Sequence, residues 1–422
     1  MWLVSQLVGL VYATTHESAV QLSQVRLERT TAALLDAVEA ECLTPAPRSR
    51  PSEERPSVPV ALAALKGELR RHYNATGSFD FPIQREVWAG ARIVAATANQ
   101  HDRGQDAVAI TELVDGYSQP ARFAADVAQI MFASETLAAC PTAMKTGVII
   151  GHYFANLEGR EHAKNPEEEA RYVTQLRKWS QVHAAELGLR CLVVHDGIRL
   201  ELLAETQHPN LEFVHVNELP LEGMSWGGGD TTSTSFIDTR YHVHLAAIDM
   251  LSARQPAPDF IMLADFIDVA FDRNPFAWMS LLDDKFDLFM NYEAEGNIGW
   301  LLSQTRECFG NNPRTVSMGE ALVSGTMHNP GVIAGRVHAM RSMVMRSIEM
   351  GSLIGTDHSK GYAGCDMAFA NRVMWDSELQ RSEPRWRVYS GVPFSAPFRW
   401  AAFPDRDPWT RTGNRWAYCI HK

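Results

Sequence analysis

Apolar and polar positions follow two textures along the chain. Residues 17–42 repeat apolar positions at helical spacing among Ala, Leu, Glu and Arg, which predicts an amphipathic helix. Residues 43–59 hold five prolines among Ser, Arg and Glu, the chemistry of a linker. Helical patterns return at 59–73 and 121–139. From Lys145 the texture changes to short apolar runs alternating with helical patterns. Val148–Ile150 reads as a first strand, and 166–187 as one long helix with its charge on one face. Cys191–Val194, ending on His195 and Asp196, is a second strand and Leu211–Val216 a third. A helix over Thr239–Arg254 leads into the strand Phe260–Ala264, and Phe286–Asn291 is a further short strand. Next come a helix near Ile298–Cys308, a strand around Gly331–Ile333, and helices near 336–350 and 366–375. Strands and helices alternating at this spacing predict an α/β fold, a mostly parallel sheet flanked by helices. The expected organisation is a helical accessory region over 1–143 and an α/β domain over 144–422.

The strand Phe260–Ala264 runs directly into Asp265 and Asp268, followed by Val269-Ala270-Phe271 and Asn274-Pro275-Phe276. In open α/β sheets the carboxyl ends of the strands are where ligands and metals bind. Neighbouring carboxylates repel and raise each other's pKa unless something compensates them. By residue type alone, three explanations stay open. The pair could hold Mg2+ or Mn2+ against a phosphate, because hard oxygens suit those ions. One aspartate could be a phosphatase-like nucleophile, although that chemistry usually spaces its aspartates one residue apart. A polar strand end could simply cap the next helix. Trp226-Gly227-Gly228-Gly229-Asp230 reads as a flexible loop of lid type. It is no Walker or dinucleotide fingerprint, since no GK[ST] or GxGxxG follows a strand.

Composition narrows this only at the edges. The 422 residues are 45% hydrophobic and 21% charged, ordinary for a globular protein. The net charge of -11, with no basic stripe, argues against a general nucleic-acid binder. The six cysteines include no CxxC pair, which disfavours a zinc ribbon or thioredoxin-like site. They fit either disulfides or reduced, half-buried thiols. Met1–Ala13 fits a secretory signal without a basic start, an ordinary first helix or a truncated anchor. Asn74-Ala75-Thr76 is a glycosylation sequon. Together these two features lean towards the secretory pathway, with a cytoplasmic location as the alternative.

An ordered series of short segments resembles the nucleotide-diphospho-sugar transferases, glycosyltransferases with a GT-A-type, Rossmann-like fold, across about 145–422. It comprises Asp238-Thr239-Arg240-Tyr241, Asp265 to Phe271 with Asn274-Pro275-Phe276, Asn329-Pro330-Gly331-Val332-Ile333, Asp366-Met367-Ala368, and His421-Lys422. The resemblance implies a metal-dependent transferase that moves a sugar from a nucleotide-diphosphate donor to a saccharide, protein or lipid acceptor. The glycogenin-like branch further implies retention of anomeric configuration. The alternatives are a metal-dependent nucleotidyl- or phosphotransferase and an inactive relative acting as a scaffold. In the implied site Asp268, Asp265 and the late histidine His421 hold Mn2+ or Mg2+. Arg240, Asp265, Gly331 and Lys422 bind the donor, and Asp366 and Asn329 orient the sugar or the acceptor hydroxyl. One departure stands out. The family usually spaces its two aspartates one residue apart, and alignment on Val269-Ala270-Phe271 makes Asp268 the second of them. The first then falls at Phe266, so Asp265 serves only if the backbone bulges.

Overall fold

The computed structural model describes residues 144–154, 166–221, 236–292, 328–352, 365–378, 385–390, 394–397 and 419–421, with scattered helical positions between 26 and 71. The helices expected at 121–139 and near 298–308, the 226–230 loop, the sequon, Met1–Ala13, Lys422 and the proline-rich 43–59 stretch lie outside the described residues.

The α/β unit opens with β1 (Gly147–Tyr153), α1 (Pro166–Lys178), β2 (Cys191–His195), α2 (Leu200–Glu205), β3 (Leu211–His215) and α3 (Phe236–Ser252). It continues through β4 (Phe260–Ala264), β5 (Val269–Phe271), α4 (Pro275–Leu281), β6 (Leu288–Tyr292), β7 (His328–Arg336) and α5 (Val337–Ser352). The last elements are α6 (Cys365–Glu378), β8 (Val388–Ser390), β9 (Ser395–Pro397) and β10 (Cys419–His421). Seven strands form one sheet in the order β3-β2-β1-β4-β7-β6-β8, and β5-β10-β9 form a small second sheet. The pairs β1–β2, β2–β3, β1–β4 and β6–β8 are parallel, whereas β7 runs antiparallel to both β4 and β6. The fold is therefore mixed α/β, with a mostly parallel sheet flanked by helices in a Rossmann-like manner.

Side-chain alternation along the strands builds a core on each face. Ile149, Tyr153, Val193, Phe260 and Met262 pack on one face with Tyr172, Leu176 and Trp179. Val148, Ile150, Leu192, Ile261 and Leu263 pack on the other with residues of α3, α5 and α6, such as Val243, Met340 and Phe369. Burial on both faces explains why these strands read as continuous apolar runs.

The long helix expected over 166–187 changes winding at Trp179 and continues to Glu186 as a π-helix. The wider turn brings Trp179 and His183 into the core together. Gly151 makes room beneath them, since a Cβ there would lie 2.5 Å from the Trp179 ring. From the accessory region, Leu34, Leu35 and Ala37 join the first core. Arg273, buried just after β5, donates to Asp36 Oδ1 at 2.7 Å and to the Ala32 carbonyl at 3.5 Å. That helical stretch thus docks on the α/β unit. The Cys191 and Cys419 thiols are buried and donate to the carbonyls of Leu189 and Phe394.

The chain steps outward from β1 to β2 to β3, then returns to β4 on the other side of β1. Strand order reverses between β1 and β4, which leaves a crevice beyond their carboxyl ends, the favoured ligand site of such sheets.

Candidate functional site

Polar residues collect at that edge because each strand there stops or starts on one. β2 ends on His195, and β4 gives way to Asp265. β6 ends near Asn291, and the antiparallel β7 begins with His328 and Asn329.

β4 ends at Ala264, opposite Val332 of β7, and one further cross-strand bond follows it. The Asp265 backbone N–H donates to the Gly331 carbonyl at 2.8 Å. On its other side β7 is irregular: Met290 faces Ile333, yet Asn291 faces Asn329. Pro330 and Gly331 sit in the resulting bulge, and the Gly331 N–H donates to Asn329 Oδ1 at 2.8 Å. Bulges of this kind re-aim backbone beside functional sites. The structure thereby brings Gly331 against Asp265, with the Asn329 side chain bonded to Gly331.

Residues 266–268 then form a turn. Phe266, 2% exposed, points into the first core. It stacks on Tyr172 with centroids 6.2 Å apart, meets Tyr153 edge-on at 6.0 Å and lies 5.0 Å from Trp179. A carboxylate has no place at 266, so the spacing of one residue between aspartates does not hold here. The turn separates the two aspartates, with Asp265 before it and Asp268 at its end.

The two carboxylates meet arginines from opposite helical layers. Arg240, buried on α3, donates from Nη1 to Asp265 Oδ1 at 3.2 Å. The sequence suggested that Arg240 opens its helix; α3 begins at Phe236, so Arg240 lies in its second turn. That depth buries the guanidinium and directs it at the end of β4. The side chain of Asp238, its expected partner, lies outside the described residues. One turn further along α3, buried His244 lies 5.4 Å from His152 of β1. Burial, then His152 and Arg240, hold His244 well below the usual histidine range, so it stays neutral beside the ion pair. Neither histidine was singled out from sequence, although His244 stands at i+4 from Arg240 and so shares its helix face.

Asp268 looks towards α1, where Arg171 Nη2 lies 3.9 Å from its Oδ1. The same helix carries Glu169, which together with burial pushes the Tyr153 phenol upward, burial being the larger cause. Arg171 was also missed from sequence, since one arginine in a charged helix gives no signal of its own.

The C-terminal strand β10 pairs antiparallel with β5, setting Cys419 against Phe271, Ile420 against Ala270 and His421 against Val269. Cys419 is buried and its N–H donates to the Phe394 carbonyl at 3.2 Å, which anchors the strand. The backbone of His421 thus lies opposite the residue that follows Asp268. The side chains of His421 and Asp366 lie outside the described residues. Asp366 belongs to the first turn of α6, and Asn371 fixes that helix to β7. Its Nδ2 donates to the carbonyls of His328 and Met367, and its Oδ1 accepts from the His328 N–H, each at 2.8 Å.

Among the described residues, no group of three His, Cys, Asp or Glu side chains is arranged to hold a metal ion. The donors described at the turn are two carboxylates. That set fits Mg2+ or Mn2+ that complete their shell with phosphate oxygens and water, a mode those ions favour over a full protein cage. No protein-family model matches the chain, and no curated protein matches it either.

Proposed function

We propose that the chain is a metal-dependent glycosyltransferase of the GT-A type, taking its sugar from a nucleotide-diphosphate donor. The observation that carries this reading is the convergence of three distant segments on one crevice: the Asp265–Asp268 turn, Arg240 on α3 and the β10 backbone at His421. A polar strand end that only capped the next helix would need neither a buried arginine nor a returning tail. The capping of α4 is in any case done by Asn274, whose side chain accepts from the Phe276 N–H at 3.0 Å.

Asp268 and Asp265, with His421, are the residues that would hold Mn2+ or Mg2+. Bound there, the ion would neutralise the donor diphosphate and improve it as a leaving group. Arg240 orients Asp265 and adds positive charge where the diphosphate departs. Lys422 adds a second cation from the tail. Gly331, without a side chain in the bulge, lets the donor approach the backbone closely. Asn329 and Asp366 orient the sugar or the acceptor hydroxyl. The glycogenin-like resemblance implies retention, and no protein nucleophile is assigned.

A panel of nucleotide sugars, assayed for hydrolysis with and without Mn2+, tests the reading. Metal-dependent release of sugar is expected. Turnover of nucleoside triphosphates without sugar release would replace it with a nucleotidyl- or phosphotransferase. Failure to bind any nucleotide sugar would replace it with a scaffold.

A further inference from the structure

Arg171 is held at the crevice by packing that has nothing to do with its charge. Its neighbour Tyr172 is buried and stacks on Phe266, which lies between the two carboxylates in the chain, with an interplanar angle of 16°. Tyr172 also meets Tyr153 edge-on at 4.9 Å. These contacts fix α1 against the acidic turn, so Arg171 stays within reach of Asp268 while its own side chain remains 53% exposed. At 3.9 Å, and with Asp268 itself 43% exposed, the pair is beyond hydrogen-bond distance and easily exchanged. Arg240 differs on both counts, being buried and hydrogen-bonded to Asp265. One arginine is a fixed support, and the other is placed to move.

We propose that Arg171 pairs with Asp268 before the donor arrives and turns onto the donor diphosphate when a metal ion takes that carboxylate. This exchange rests on the glycosyltransferase reading and adds a donor-binding residue to it. A planar guanidinium on an exposed stem suits phosphate oxygens, and the exchange lets one positive charge serve two partners in turn.

The two halves of the exchange predict effects of opposite sign. Calorimetry with MnCl2 alone should show Arg171→Ala binding manganese about twofold to fivefold more tightly than wild type, because a weak competitor has gone. Titration with UDP, GDP, ADP and CDP at saturating manganese should show the diphosphate that binds wild type binding the variant about tenfold more weakly. Arg171→Lys should fall between the two. Arg199→Ala, which removes an exposed partner of Glu169, should change neither affinity. Manganese affinity that is unchanged or weaker in Arg171→Ala, or diphosphate affinity that is unaltered, overturns the exchange while leaving the functional reading intact. A wild type that binds no manganese, or an Asp268→Asn variant that binds it as well as wild type does, overturns both.

Discussion

Replacing Phe266 with aspartate would place two acidic positions one residue apart, the spacing usual in nucleotide-diphospho-sugar transferases, and the structure predicts that the change is ruinous. Phe266 is 2% exposed and packs among Tyr153, Tyr172 and Trp179. Truncating a buried Phe costs about 3–5 kcal/mol. Placing a carboxylate in the same position adds several kcal/mol for its desolvation, or forces it to stay protonated. The sum, about 5 kcal/mol or more, rivals the whole stability of a typical domain, about 5–15 kcal/mol. Urea denaturation followed by circular dichroism measures it, with Phe266→Ala supplying the packing part and Asp268→Asn serving as a control within about 1 kcal/mol of wild type. If Phe266→Asp unfolds within about 1 kcal/mol of wild type and binds manganese more tightly, then residue 266 faces the crevice. The buried turn described above would then be wrong.

Two further perturbations test the surroundings of the site. Asp36→Ala removes the carboxylate that meets Arg273, whose side chain is 1% exposed, and should cost about 3 kcal/mol in the same denaturation assay. A loss below about 0.5 kcal/mol would show that the N-terminal helix does not dock there in solution. His195 is pushed down to about 4, chiefly by burial and then by His215, from an ordinary 6.5, and His244 is lowered in the same direction. Because the folded values lie below the unfolded one, the unfolded chain takes up protons first. Stability should be full above about pH 6.5 and fall as the pH drops towards 4. An equal or higher urea midpoint at about pH 5 than at about pH 7.5 would contradict this.

The central strands and their helices were legible in the sequence because each announces itself locally. Phe260–Ala264 is a buried run of strand length, and α3 and α5 carry helical periodicity through their cores. What the sequence concealed depends on partners far along the chain. Val269–Phe271 follows the strand Phe260–Ala264 closely in sequence, yet it belongs to a separate sheet whose other members lie near the C-terminus. Three-residue strands carry no periodicity, and only pairing with β10 defines this one. The change to π winding at Trp179 coincides with packing of that ring over Gly151, a distant partner that helix propensity does not register. In the candidate site, Asp265, Asp268 and Arg240 were recognisable as charges near element ends. Arg171, His152 and His244 were not, because nothing in their local sequence shows that the fold gathers them at one edge.

The most direct test is manganese-dependent binding of a nucleotide sugar, measured by calorimetry on wild type and on Asp268→Asn. A metal–diphosphate site at the acidic turn predicts binding to wild type that requires the metal, and its loss in a variant whose urea midpoint stays close to wild type. Binding that survives Asp268→Asn unchanged, or that needs no metal in wild type, would contradict that assignment.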